Sequence, residues 1–414
     1  MSVLRPFRAV RPRPDLVERV AALPYDVMNS DEARQMVAGN PYSFLHVDKA
    51  EIDLDPGIDL YDPKVYQQAK ENLQAMLSDG VLQEDGQANL YIYRQLMNGR
   101  MQTGIVACAS IDEYLENKIK KHEHTRADKE QDRIKHVNTL DANTGPIFLT
   151  YRARKDINQI VEDWCKKTPV YEFQSEDGIS HIVWMVDDSA AIQKLAGLFQ
   201  EVDKLYIADG HHRCKSGVTV GQMRRQDHPD YTGEEEFNYF LAVIFPDQDL
   251  YIMDYNRVVK DLNGYSAEAF LLKIEENFEV KQVNSASPYK PQEKRKFGMY
   301  LGGQWYELEV RPGSYDANDP VARLDVSILQ NNLLRPLLGI EDPRTDKRID
   351  FVGGIRGLEE LQRRVDEGMK VAFSMYPTTI QDLMDIADAD QVMPPKSTWF
   401  EPKLRSGLFI HKLS

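Results

Sequence analysis

Asp209-Gly210-His211-His212-Arg213 sets an acid, a glycine and three bases side by side, directly after the apolar run Leu205-Tyr206-Ile207-Ala208. If Ala208 ends a strand, Asp209 stands at its C-terminal tip and Gly210 gives the backbone freedom for a sharp turn. His211, His212 and Arg213 then fill the first turn of a helix, where unpaired N–H groups and a partial positive charge favour anions. Basic residues there oppose the helix dipole, so the cluster is locally unfavourable and points to function. The chemistry it suggests is phosphate binding, with Arg213 adding bidentate donors. The alternative is an Asp N-cap followed by solvated histidines.

A second cluster lies in "KKHEHTRADKEQDRIKHVNTLDAN". His122 and His124 alternate and point the same way on an extended chain. Lys129, Asp132, Arg133 and His136 are spaced to share one helix face, and Thr125 adds a hydroxyl. These residues join the phosphate-binding set, against the alternative of a solvated charged helix. Asp26, after Pro24-Tyr25, is a second candidate acid, or a turn residue. Asn40, Ser43 and His46 follow in "NPYSFLHV", where His46 reads as a core histidine in an apolar strand. Lys396, Ser397 and Thr398, with Lys403 beyond them, form a loop that could close over a ligand or pack as a rigid tail.

His122, His124, His136, His211, His212 and Asp209 could also supply three ligands to zinc, but no HExxH or cysteine pairing supports that set. A magnesium ion brought in with a nucleotide would suit Asp209. No Walker P-loop or GxSxG is present, and "FVGGIRG" and "LGGQW" lack the strand–GxGxxG–helix context.

The elements that must position these residues can be traced in order. Ser30 is the N-cap candidate of a helix ending at Gly39, and "NPYSFLHV" reads as a turn into a strand. "DPKVYQQAKENLQAMLSDG" is a helix, and Asn98-Gly99 closes a hairpin between "ANLYIYRQL" and "MQTGIVACASI". "PIFLTYR", "ISHIVWMV" and "KLYIA" are strands, "SAAIQKLAGLFQEV" and "HRCKSGVTVGQMRRQ" helices. Two strands flank Pro246-Asp247. Beyond residue 262 come a helix "SAEAFLLKIEENF", a hairpin turning at Gly302-Gly303, the helices "DVSILQNNLLRPLLG", "GLEELQRRVDEG" and "TIQDLMDIAD", and the strands "RIDFVGG" and "KVAFSMY". Strict βαβ alternation is absent, so the expected class is α+β. The expected division is 1–260 for the motif-bearing region, 261–390 for a second α+β domain, and 391–414 for a C-terminal segment packing back on the core.

Bulk properties bound the function. A chain of 414 residues exceeds one ordinary core. Its net charge of −15 disfavours nucleic-acid binding by a general basic surface. Three cysteines, none in a CxxC pair, fit a reducing compartment, and Cys214 reads as a small helix residue. No apolar run approaches a membrane span and the first residues lack a secretory apolar core, so a cytoplasmic location is expected.

"PYDV", "NPYSFLHV", "HEHT…K…DR…H", "IADGHHR" and "MPPKSTWFEPKLRSGL", in that order, resemble a large bacterial and archaeal family, domain of unknown function 1015. Cys214 stands where the commoner form has an aromatic. The "DGHHR" motif is similar to the signature of the ParB/sulfiredoxin-like group, which includes free serine kinases with a closely similar Asp-Gly-His-x-Arg. The resemblance implies a ParB/sulfiredoxin-like nucleotide-binding core. It gives Asp209 a place near a substrate hydroxyl, makes His211, His212 and Arg213 phosphate ligands, and offers Asp26 as a further N-terminal acid. The expectation is therefore a kinase using ATP or ADP with Mg2+ on a hydroxyl of a small metabolite such as free serine, and a homodimer is compatible with it. The alternatives are a non-catalytic nucleotide switch and a metal-dependent hydrolase.

Overall fold

The computed structural model describes residues 2–284 and 287–414. The chain forms two compact units. The first gathers Met1–Lys121, Thr125–Leu250 and Pro402–Ser414; the second gathers His122–His124 and Tyr251–Glu401. The class is α+β, with strands and helices mixed along both units.

The main sheet of the first unit has eight strands in the order Ile119–Lys120, Leu205–Asp209, Ile147–Tyr151, Tyr239–Pro246, Arg100–Ser110, Leu90–Met97, Ser180–Val186 and Tyr171–Gln174. Pairing is antiparallel except where Leu205–Asp209 meets Ile119–Lys120 and where Tyr239–Pro246 meets Ile147–Tyr151. Asn98 and Gly99 close the hairpin with φ of 51° and 76°, the left-handed pair that a two-residue turn requires. Alternate residues of the central strands, Ile147, Leu149, Leu205, Ile207, Ala242 and Ile244, enter one apolar cluster. A second cluster joins the helix Pro63–Ser78 to the N-terminal segment. That helix is capped by Asp62 with Pro63 at its first position.

The helix Ala127–Leu140 packs on the helix His211–Asp227 and on Pro63–Ser78. Its Asp132, Arg133, Ile134, His136 and Val137 are buried, so the charged residues spaced three, four and seven apart do share a face, and that face is turned inward.

The second unit is built on a six-stranded antiparallel sheet ordered Phe278–Gln282, Gln304–Val310, Lys296–Leu301, Val371–Ser374, Tyr255–Val259, Ile349–Gly353. Helices Ala267–Ile274, Glu359–Asp366 and Ile380–Asp388 belong to it.

Local expectations fail in identifiable places. Asn29, not Ser30, caps the helix Ser30–Met36, because its side chain accepts from Asp31 and Glu32 N–H while Glu32 returns a bond to Asn29 N–H. "NPYSFLHV" does not end in a strand: Leu45–Asp48 is a helical turn. Phe44, Leu45 and Val47 are buried against Val20, Ala22 and Ile410, and a short apolar run does not distinguish the two states by periodicity. His46 is therefore not a strand residue. Its Nδ1 bonds Asp53 at 2.8 Å, which raises its pKa. The strands on either side of Pro246 enter different sheets, Tyr239–Pro246 the eight-stranded and Tyr255–Val259 the six-stranded. Strands Tyr171–Gln174 and Phe278–Gln282 and the helix Lys155–Trp164 are further elements the pattern did not single out.

Candidate functional site

Strict alternation along Leu205–Asp209 would send residue 209 to the same face as Leu205 and Ile207, into the apolar cluster. It does not arrive there, because the register against Ile147–Tyr151 shifts: Ile207 lies opposite Leu149, but Asp209 lies opposite Phe148. Ala208 is the extra residue of a β-bulge, a device that re-aims the side chain beyond it. Asp209 is thereby turned to the other face, and it is half-buried.

Gly210 follows with φ 89° and ψ 31° as the N-cap of the helix His211–Asp227. Its N–H donates to Asp209 Oδ1 at 2.8 Å. Arg213 folds back over this turn, so that a Cβ on residue 210 would meet its Nε at 3.2 Å and its Cζ at 3.3 Å. Arg213 Nη1 donates to the Pro146 carbonyl at 2.8 Å. Among the described residues, buried Arg213 Nε and His212 Nδ1 have no hydrogen-bond partner. Lys403 Nζ donates to Asp209 Oδ2 at 2.9 Å.

Charges alternate outward from this point. Burial lowers the Arg213 pKa, but Asp26, Asp209, Tyr25 and Asp48 outweigh it and raise it. Burial pushes the Asp209 carboxyl up, yet Lys403 and Arg213 hold it well below the usual carboxylate range. Asp48 is buried and its pKa is raised by that burial, against hydrogen bonds from Ser406 and Thr144 and the charges of Arg133 and Arg213. Thr144 Oγ1 donates to Asp48 at 2.8 Å. Arg133 Nε donates to Asp132 at 2.9 Å, Tyr66 OH donates to the same carboxylate at 3.0 Å, and the Arg133 guanidinium lies 4.1 Å from the Tyr25 ring centre. Tyr25 opens the 3-10 turn Tyr25–Val27 that carries Asp26. Burial lowers the His212 pKa, against the pull of Asp26 and Glu130.

The geometry thus brings Asp26, Asp209, Gly210, His212, Arg213 and Arg133 into one electrostatic neighbourhood. His211, in the first helical turn, is buried. The remaining candidates have partners of their own. His136 is in the core, its Nε2 on the Val47 carbonyl at 3.2 Å and its pKa pushed well down by burial and then Arg133. Lys129 is held near the Tyr61 ring at 5.8 Å, and Thr125 Oγ1 bonds Glu130. His122 and His124 group with the second unit, where the His122 carbonyl accepts from Met393 N–H. Lys396, Ser397 and Thr398 also belong there: Lys396 O accepts from Arg257 at 3.0 Å, and Ser397 Oγ donates to Pro394 O at 2.6 Å. Cys214 is buried and its thiol is pushed up by that burial, which suits a packing role. Asp48, Thr144 and Ser406 are residues of this neighbourhood the sequence did not single out, and Lys403 was named only as part of a loop that could close over a ligand, without its partner Asp209. A lysine in "FEPKLRSGL" carries no local sign of the carboxylate it will meet.

A resident magnesium ion fits Asp209 poorly. One oxygen accepts from Gly210 N–H and the other from an ammonium, whereas magnesium needs open oxygen ligands in octahedral geometry. Among the described residues, no helix is long and apolar enough to cross a membrane.

Fold and site together define an α+β protein whose first unit ends a strand in a carboxylate paired with Lys403 and held ionised by the nearby charge of Arg213. The chain belongs to the family described as "Protein of unknown function (DUF1015)", which it matches over residues 4–327. No curated protein matches the sequence. Solved structures similar to it include a conserved hypothetical protein from Pyrococcus furiosus at 14% identity, covering 73% of this chain and 93% of that one with a TM-score of 0.34. Another is a free serine kinase in complex with ADP, at 14% identity, 72% and 87% coverage and a TM-score of 0.35. A third is C-terminally truncated SbnI from Staphylococcus aureus, at 11% identity, 73% and 85% coverage and a TM-score of 0.38.

Proposed function

We propose that this protein is a nucleotide-dependent kinase that phosphorylates a hydroxyl of a small metabolite such as free serine, with ATP or ADP, supplied as its magnesium complex, as the donor. The observation that carries the proposal is the turn at Gly210. An ionised carboxylate, a guanidinium with a buried unpaired Nε, and the start of a 17-residue helix converge there. The "DGHHR" motif supports the same reading by its similarity to that of free serine kinases.

Phosphoryl transfer asks mainly for positioning and charge neutralisation. The acceptor hydroxyl oxygen forms a bond to the terminal phosphorus, the bond to the leaving phosphate breaks, and the hydroxyl proton passes to a carboxylate. Asp209, held strongly acidic, is a poor proton acceptor and a good orienting group for the hydroxyl. Asp26, exposed and facing Arg213, takes the proton. Arg213 and the first-turn N–H groups with His211 and His212 receive the phosphate. Arg133 acts through Tyr25 to fix the turn that carries Asp26.

Asp209→Asn and Arg213→Ala are each expected to lower kcat by about 10²–10³ with native circular dichroism retained. The assay is phosphorus NMR of the purified protein with ATP or ADP, magnesium and a panel of hydroxylated metabolites headed by L-serine. Full activity in both variants overturns the proposal. Nucleotide binding without transfer to any acceptor would instead favour a binding switch.

A further inference from the structure

The segment 402–414 lies beyond the family match at 4–327, yet it is woven into the first unit. Pro402 and Lys403 carbonyls accept from Gln102 and Gln95 side chains at 3.3 and 2.9 Å. Ser406 exchanges backbone hydrogen bonds with Ala22 at 2.9 and 3.1 Å, and Ile410 pairs with Val10. The main chain is therefore fixed on both sides of Lys403, and the Lys403 ammonium is delivered to Asp209 by the fold rather than by a wandering side chain. The site pairs Asp209 Oδ2 with an ammonium, and Oδ1 accepts from the Gly210 N–H.

We propose that Lys403 is a positioning residue of the transfer reaction: its ammonium, and not a resident divalent cation, is the charge partner that holds Asp209 toward the acceptor hydroxyl. The acceptor in this statement rests on the kinase reading, but the Lys403–Asp209 pairing does not. A compact ammonium with three donors can bond Asp209 and still turn toward a bound phosphate. A metal at the same oxygen would face both Lys403 and Arg213 as like charges.

The test uses the full chain and Mn2+ as the probe, followed by electron paramagnetic resonance without nucleotide. Wild type is expected to show no Mn2+ binding that Asp209→Asn removes, whereas Lys403→Met gains one such site. An Asp209-dependent Mn2+ site in wild type overturns the proposal, and that comparison needs no lysine variant to fold. In the kinetic arm, Lys403→Met is expected to lower kcat about 100-fold with the nucleotide KM within about twofold, a split that fits loss of positioning and not of binding. Lys403→Arg should recover part of the loss. Unchanged kcat in Lys403→Met overturns it. If wild type transfers phosphate to no acceptor, the kinase reading fails, and the Mn2+ titration still decides the pairing.

Discussion

At Gly210 two demands coincide. The backbone sits at φ 89°, and the Arg213 guanidinium lies against the position a Cβ would take. Left-handed geometry costs a non-glycine residue about 1–2 kcal/mol, and a methyl group would also push the guanidinium off the turn. Gly210→Ala is therefore expected to lower the melting temperature by a few degrees and to weaken nucleotide binding more than about tenfold, measured by thermal unfolding and calorimetry. A variant that loses stability but binds nucleotide like wild type would show that Arg213 does not need the space. Asp209, Gly210 and Arg213 were legible in the sequence because the turn that joins them is local. Asp48 was not, and Lys403 was readable only as part of a loop that could close over a ligand, because each meets its partner only through tertiary packing. His136 shows the converse error. Its spacing put it correctly on the face of Arg133, but spacing does not say whether a face meets a ligand or a core.

Among elements, the bulge at Ala208 and the segment 402–414 do most to make the site. Helices with caps and strands with turn residues at their ends, such as Pro63–Ser78 and the Asn98-Gly99 hairpin, were readable. A bulge was not, since a single added residue leaves the apolar run Leu205-Tyr206-Ile207-Ala208 looking like any buried strand. The 402–414 segment is anchored at Arg405, buried beside His181 at 3.4 Å and bonded to Ser175 at 3.0 Å. Tyr93 OH bonds His181 Nδ1 at 2.7 Å. Burial, then Arg405, holds the His181 pKa down to about 3. Its folded value is below the unfolded one near 6.5, so the unfolded chain binds the extra proton. Stability is whole above about pH 6.5 and falls by about 1.4 kcal/mol per pH unit toward pH 3 from this group. Urea unfolding of wild type and His181→Gln across pH 7 to 4 should show the wild-type slope steeper by one proton. Equal slopes would mean that His181 takes up its proton in the folded state as readily as in the unfolded one.

The molecule as a whole consists of two units with separate sheets and separate cores. Phe240 is fully buried in the first, Phe297 in the second. Phe→Ala in such positions costs about 3–5 kcal/mol. Calorimetry is expected to resolve two transitions, with Phe240→Ala lowering one and Phe297→Ala the other. A single transition moved equally by both would show that the units unfold as one.

The chain path adds a constraint in time. Lys403 follows Asp209 by 194 positions, and the whole stretch Tyr251–Glu401 is made between them. A nascent chain can present its bulge, turn and signature helix long before the ammonium exists. Until then Asp209 has the Gly210 N–H and the charge of Arg213 but not its lysine partner. Charge balance at the turn is thus a late event in each molecule's life, and a chain stalled or clipped before residue 403 would hold the signature motif without the cation that restrains it.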